Sequence, residues 1–177
     1  MILSITRHGQ AHRASLTGTD RDRELKPRGC QQAEFLALTL ATLDTPPDRL
    51  VASPFVRAQQ TAKIIDSRLR LGLVTDDRLR CGTQPSTVLQ LIADHADATS
   101  LVIVGHNPTL DELIGLLTSG PAAYGPGLRT GEAFVLDLDP HLDLDPHDPQ
   151  DPDGPVGRAV ILAQIRHENE EAQTPPF

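Results

Sequence analysis

The chain has 177 residues, the size of one domain, with a formal net charge of −8 and an isoelectric point near 5.2. At that length folding removes roughly 70% of the unfolded surface from water, so neither a disulfide nor a structural metal is required. The acidity argues against a nucleic-acid binder, 3% aromatic residues without Trp against a base-stacking platform, and the absence of an apolar run of about 18 residues against a membrane-spanning helix.

The start, Met1-Ile2-Leu3-Ser4, has no basic n-region, so no signal peptide is expected. Cys30 and Cys81 are far apart and fit neither a disulfide framework nor a zinc pattern; reduced thiols in a cytoplasm are the expectation. The acidity is uneven. Residues 137–153 hold seven Asp, while Arg is frequent from Arg7 to Arg80, so a basic pocket for an anion can exist inside an acidic protein.

Ile2, Leu3 and Ile5 form a β-branched run too short for a helix, which reads as a buried strand. It ends in Arg7-His8-Gly9, where a strand leaves its sheet and where ligands of α/β sheets bind. A polar turn and an anion site with a nucleophile or base are both open readings at that point. Residues 10–26 read as a polar loop, with Thr17-Gly18 as turn chemistry and a charge run over 20–24 whose ordinary meaning is solvated surface. A helix is expected from Pro27, with Ala33, Leu36, Ala37, Leu40 and Leu43 on one face and Thr45-Pro46-Pro47 as its stop.

Residues 49–53 predict a second strand. Ser53-Pro54 predicts a helix start, Ser as N-cap and Pro as first helical residue, running to about residue 69. Arg57 lies in its first turn, against the dipole preference for acids there, a sign that it serves an anion. Residues 71–75 suggest a third strand and 76–84 a loop. A third helix opens at Pro85-Ser86 and ends near His95, a basic residue suited to a helix C-terminus. Leu101-Val102-Ile103-Val104-Gly105 is apolar throughout, as a central parallel strand should be. It ends in Gly105-His106-Asn107, followed by a helix with Leu110, Leu113, Ile114 and Leu117.

Residues 133–138 and 157–165 predict two final strands, mutually antiparallel. Between them, 139–156 is an Asp/Pro-rich loop in which His141 and His147 read as loop residues rather than metal ligands. The fold expected is a three-layer α/β/α sandwich, its central sheet mostly parallel with an antiparallel edge. A single domain over 1–166 and a frayed polar tail over 167–177 are expected.

Two parallel strands thus end alike, in Arg7-His8-Gly9 and in Gly105-His106-Asn107, and Arg57 emerges at the same sheet edge. Two guanidinium forks match phosphate oxygens, and a neutral imidazole can attack phosphorus. Amides at the start of the helix after His106 add positive potential. No metal-ligand spacing is present, and no cofactor is implied.

Arg7-His8-Gly9, Ser53-Pro54-Phe55-Val56-Arg57-Ala58-Gln59-Gln60-Thr61-Ala62 and Val104-Gly105-His106-Asn107, in that order, resemble the histidine phosphatase superfamily, also called phosphoglycerate mutase-like. The small size, Asp22-Arg23-Glu24-Leu25 ahead of Gly29, and the loop over 77–82 are most similar to its SixA-type phosphohistidine phosphatases. The resemblance covers about residues 1–138. It implies a phosphoglycerate mutase-like fold, with His8 as nucleophile, Arg7 and Arg57 as phosphoryl-binding arginines, and His106 as the second histidine that contacts the phosphoryl group. Asn107 is a further candidate phosphate contact. Asp77 is the nearest match to the general acid of larger members, with Asp76 and Glu132 less well placed; a solvated loop carboxylate is its other reading. Larger members carry an Asn six residues beyond the nucleophile, where this chain has Ala14; Arg23 is the candidate to supply charge there, against a surface role. His12 reads as solvated, Cys30 as helix packing, and Cys81 as a thiol near the pocket.

The resemblance implies a phosphatase that hydrolyses a phosphomonoester or phosphoramidate through a phosphohistidine intermediate, with protein phosphohistidine as the first choice of substrate. A sugar phosphate or nucleotide phosphatase and a non-catalytic phosphate-binding protein are the alternatives. The expected partner is a phosphorylated substrate, with no nucleic acid and no membrane, and the expected state is a monomer or weak dimer.

Overall fold

The computed structural model describes residues 1–120, 123–139 and 159–167. In chain order they form β1 (Ile2–Arg7), α1 (Pro27–Leu40), β2 (Arg49–Ala52), α2 (Val56–Leu69), β3 (Val74–Thr75), α3 (Pro85–Asp94), β4 (Ser100–Gly105), α4 (Thr109–Ser119), β5 (Glu132–Asp137) and β6 (Val160–Arg166), with a 3-10 turn over Asp77–Leu79. The sheet order is β3-β2-β4-β1-β5-β6. The first four run parallel; β5 is antiparallel to both β1 and β6.

Alternation along β4 separates two cores. Leu101 and Ile103 join Leu3, Ile5, Leu89, Ile92, Leu113 and Leu117 on the side of α3 and α4. Val102 and Val104 join Leu36, Leu40, Leu50, Ala62 and Ile65 on the side of α1 and α2. With both faces covered, every residue of β4 is buried, which explains its uniform apolarity. The expected three-layer sandwich is therefore the observed one.

Several boundaries differ from the sequence reading. Phe55, in extended conformation, precedes the first turn of α2, so Ser53 is not the N-cap. The chain leaves α2 through Arg70 in left-handed conformation (φ 56°), and the carboxylate of Asp66 accepts from the amides of Leu71 and Gly72. That tight exit delays β3 to Val74. Helix α1 stops at Leu40, although Leu43 still packs on the core. The expected Asp/Pro-rich loop falls outside the described residues except at 139, and the expected tail except at 167.

One close approach ties α1 to the end of β1. A Cβ on Gly9 would meet the carbonyl oxygen of Gly29, and one on Gly29 the carbonyl oxygen of Gln10. Gln32, one turn further along α1, accepts from the Gln10 amide at 2.8 Å and donates to the Thr130 carbonyl at 2.9 Å. The helix thus clamps the two segments that flank the end of β1. In an ordinary helical position Gly→Ala stabilises by up to about 1 kcal/mol. Here Gly29→Ala should instead destabilise by about 1–3 kcal/mol and lower Tm by several degrees, measured by thermal unfolding against Gln31→Ala as an exposed control. A higher Tm in Gly29→Ala would contradict the close approach.

Candidate active site

The pairing of β1 with β4 brings Arg7 opposite Gly105, so His8 and His106 leave the sheet at one level. Their ring centroids are 5.0 Å apart. Ser53 follows directly on β2, its amide bonded to the Val104 carbonyl, and Arg57 stands in the first turn of α2. All four positions follow from strand register and one helix start.

His8 is held in one tautomer. Its Nδ1–H donates to the Gly9 carbonyl at 2.7 Å, and its Nε2 accepts from Arg57 Nε–H at 3.1 Å. The lone pair therefore resides on Nε2. Nε2 of His106 bonds the Ser53 hydroxyl at 2.8 Å, while Nδ1 has no partner among the described residues. The Ser53 hydroxyl, expected to cap a helix, serves this histidine instead. Phe55 backs the His106 ring at 5.0 Å and lies under the Arg57 guanidinium at 5.1 Å.

Arg57 is only 2% exposed. Its Nη1 donates to the Asp20 carbonyl at 2.7 Å, and its Nη2 to the Asp20 carboxylate at 3.0 Å and to Cys81 Sγ at 3.2 Å. The other oxygen of Asp20 accepts from Arg23 Nε at 2.7 Å, and Arg23 Nη1 reaches the His12 carbonyl at 2.9 Å. Arg7 Nη1 donates to the Leu128 carbonyl at 3.0 Å, while its buried Nε has no partner among the described residues. Asn107 Nδ2 shares the same carbonyl at 2.8 Å. Leu128 is itself fixed, because Asp111 accepts from its amide and from that of Gly127. A cavity of about 410 Å³ opens among Arg7, His8, Arg23, Arg57, His106 and Asn107, with Asp20 and Cys81 also lining it.

Burial dominates the electrostatics. It pushes the His8 imidazole down to about 4, helped by the charges of Arg57, Arg7 and Arg23 and opposed by the Gly9 hydrogen bond. It lowers His106 as well, with His8 and Arg57 adding to the effect. Burial also lowers Arg7, which Asp111 partly offsets, and raises the Cys81 thiol. For Asp20 burial works upward but is outweighed by Arg57 and Arg23, which hold the carboxyl below its ordinary value. At neutral pH the cavity thus presents two neutral imidazoles, three guanidinium cations and one carboxylate.

Six of the residues singled out from sequence meet here: Arg7, His8, Arg23, Arg57, His106 and Asn107. Asp77 does not. It opens the 3-10 turn, 75% exposed, with Arg80 Nε 3.4 Å away, and is absent from the cavity lining. Its neighbour Asp76 caps that turn and is held by Arg78. Glu132 is buried, accepting from the Arg129 amide and from Gln164. The carboxylate that does line the cavity is Asp20, which sits in the charge run expected to be solvated surface. Its spacing of three from Arg23 was the available signal. Gln32, Ser53 and Asp111 were also missed; only their contacts with distant segments reveal them.

Comparison with known proteins gives one family. A model of the histidine phosphatase superfamily (branch 1) matches residues 3–80. The chain is 30% identical over 125 residues to phosphohistidine phosphatase SixA of Escherichia coli K12, covering 68% of this chain and 76% of that protein. It is 29% identical over 128 residues to a SixA homolog of Haemophilus influenzae, covering 66% and 77%. Among solved structures, the protein histidine phosphatase SixA complexed with tungstate superposes with a TM-score of 0.76 at 22% identity, over 94% of this chain and 97% of that one. A mycobacterial glucosyl-3-phosphoglycerate phosphatase superposes with a TM-score of 0.65 at 20% identity, over 92% and 97%.

Because His8 and His106 are neutral in the fold but charge in the unfolded chain below about pH 6.5, the unfolded state binds more protons in that range. Their contribution to stability is full above about pH 6.5 and is lost as pH falls, for His8 down to about 4. Nitrogen-resolved NMR should find His8 as the neutral Nδ1–H tautomer at about pH 5.5, where an exposed histidine is mostly charged. A His8 titration midpoint near the free-histidine value would refute the assignment.

Proposed function

This chain belongs to the histidine phosphatase superfamily, and from that premise we propose that it hydrolyses phosphohistidine carried on a protein. The observation that carries the reading is the state of His8. Its Nε2 lone pair is free of a proton, its Nδ1–H is committed to Gly9, and three arginines line the same cavity.

In the proposed first step Arg57 Nε–H turns from Nε2 of His8 to the phosphoryl group, the freed Nε2 lone pair attacks phosphorus, and the bond from phosphorus to the substrate's ring nitrogen breaks. The electron pair stays on the departing imidazole, which leaves neutral if its second nitrogen already carries a proton. His8 becomes a phosphoimidazolium whose Nδ1–H stays on the Gly9 carbonyl. In the second step water attacks phosphorus, the bond to Nε2 breaks, and both protons of the water stay with the phosphate. Arg7 and Arg57 hold the phosphoryl oxygens, Asn107 and Arg23 line their surroundings, and His106 donates to the same group. Fixed donors of this kind supply most of the rate in phosphoryl transfer.

The cavity's chemistry favours a nitrogen leaving group over an alkoxide. An alkoxide needs a proton as it departs. The lining carboxyl, Asp20, is kept ionised by Arg57 and Arg23, and Asp77 lies outside the cavity. An imidazole whose second nitrogen already carries a proton departs neutral and needs no further proton donor. The reading extends to a monomeric or weakly dimeric cytoplasmic enzyme without cofactor; the free thiols of Cys30 and Cys81 support a reducing compartment.

A substrate panel tests this. Phosphohistidine on a protein should be turned over about 100-fold or more faster than an alkyl phosphate such as a sugar phosphate, with p-nitrophenyl phosphate, whose leaving group is weakly basic, in between. His8→Ala should lose at least about 1,000-fold on every substrate, and Asp77→Asn should leave phosphohistidine turnover within about twofold of wild type. Equal rates on sugar phosphates and phosphohistidine would sink the reading in favour of a small-molecule phosphatase.

A further inference from the structure

The geometry points to a role for Asp20 beyond that of a loop anchor: we propose that its carboxylate is a built-in competitor for the phosphoryl site, vacating the arginines when phosphate enters and returning to expel it. The proposal rests on the reading that Arg57 binds the phosphoryl group.

The first support is the state of Arg57. A guanidinium has five N–H donors. Nε–H is spent on His8, one Nη1–H on the Asp20 carbonyl, and the Nη2 hydrogens on the Asp20 carboxylate and Cys81 Sγ. A phosphoryl group cannot take a bidentate grip on Arg57 until some of these bonds yield. The carboxylate also spans two cavity arginines, one oxygen on Arg57 Nη2 at 3.0 Å and the other on Arg23 Nε at 2.7 Å. Two oxygens of a bound phosphoryl group would make the same bridge. Rotation of the one carboxylate would release a donor on each arginine.

The second support is asymmetry. The Arg57 side chain is 3% exposed and the Asp20 side chain 58% exposed. Arg57 is part of the first turn of α2 and lies over Phe55, almost wholly out of water at the cavity wall. Asp20 lies in the segment between β1 and α1, outside any helix or strand. Its carboxylate can move into water at little cost, because solvation replaces the bonds that it gives up.

The third support is charge. Arg7, Arg23 and Arg57 bring three positive charges to the cavity, and Asp20 one negative charge. A phosphoryl dianion beside Asp20 brings the sum to zero. Without Asp20 the site would face the dianion with three positive charges instead of a net two, bind it more tightly and release it more slowly. An enzyme whose product is an anion like the one its site is built to hold needs a counterweight of this kind.

Isothermal titration of inorganic phosphate into wild type, Asp20→Asn, Asp20→Ala and Asp20→Glu tests the proposal, together with phosphate inhibition of p-nitrophenyl phosphate turnover. Asn and Ala variants should bind phosphate about tenfold more tightly, with the inhibition constant falling in parallel; Glu, which keeps the charge, should stay within about threefold of wild type. Unchanged or weaker phosphate binding in both Asn and Ala variants, with wild-type thermal unfolding, overturns it and leaves Asp20 as a positioning residue for Arg57. Tightening in the Glu variant equal to that in Asn overturns it as well, because charge would not be the cause. The probe is phosphate itself, so failure to turn over phosphohistidine would strike the proposed substrate and leave this result standing.

Discussion

Parallel pairing of β1 with β4 brings Arg7 opposite Gly105, and the active site depends on that register. A slip of one residue would turn Leu101 and Ile103 out of the core beneath α3 and α4 and push Val102 and Val104 into it. Both faces are covered, so the side chains would stay buried but the two cores would exchange Leu and Ile for Val, a mismatch of volume that costs about 1–3 kcal/mol. The register is therefore enforced by hydrophobic packing well away from the chemistry. Because it holds, two histidines that are 98 positions apart in the chain stand with rings 5.0 Å apart. Pairing of β2 with β4 on the other side, Ala52 opposite Val104, sets Ser53 beside His106 and starts α2 where Arg57 can reach His8.

Placing so many polar groups in one buried place creates a competition that decides their protonation. Guanidinium groups keep their protons in proteins, so the positive charge of the cavity resides on arginine. The imidazoles, buried beside that charge, give theirs up. The Gly9 carbonyl then selects which nitrogen of His8 keeps its single proton. An acceptor on Nε2 follows from three ordinary effects: burial, a nearby cation, and one backbone hydrogen bond. No strained or unusual residue is needed to leave His8 with an unprotonated Nε2.

The layered fold, the order of its elements and the convergence of His8, His106 and Arg57 were legible because they rest on strong, regular signals. Short apolar runs of period one or two mark strands, and polar residues at strand ends mark a sheet edge. What was not legible rests on contacts between segments far apart in sequence. Ser53 satisfies every local rule for an N-cap, yet its hydroxyl is taken by His106, a residue 53 positions away. Asp20 sits in a charge run that ordinarily means surface, and its carboxylate is indeed half in water, yet it faces Arg57 from the opposite wall of the cavity. The Leu128 carbonyl that holds Arg7 and Asn107 is main chain, which no residue type announces. Asp77, chosen because it follows the third strand, is turned outward by a 3-10 turn whose start is fixed by Asp76 and Arg78.

The same cavity constrains both ends of a catalytic cycle. In the proposed reaction the three cavity arginines stabilise the charge that spreads over a phosphoryl group in flight, and they would equally stabilise the phosphate left behind. A site that binds substrate and product through the same oxygens gains nothing from binding both more tightly. Asp20 bears on that balance because it shares its two oxygens between Arg57 and Arg23 and lies open to solvent. While it bridges the two arginines in the empty site they hold its carboxyl ionised, so there it offers no proton. A carboxylate in that position therefore suits turnover of substrates whose leaving group needs no proton, and it works against slow esters. The resident anion and the ionised carboxyl are two aspects of one ion pair, and among the described residues both fit the phosphorus–nitrogen chemistry proposed above.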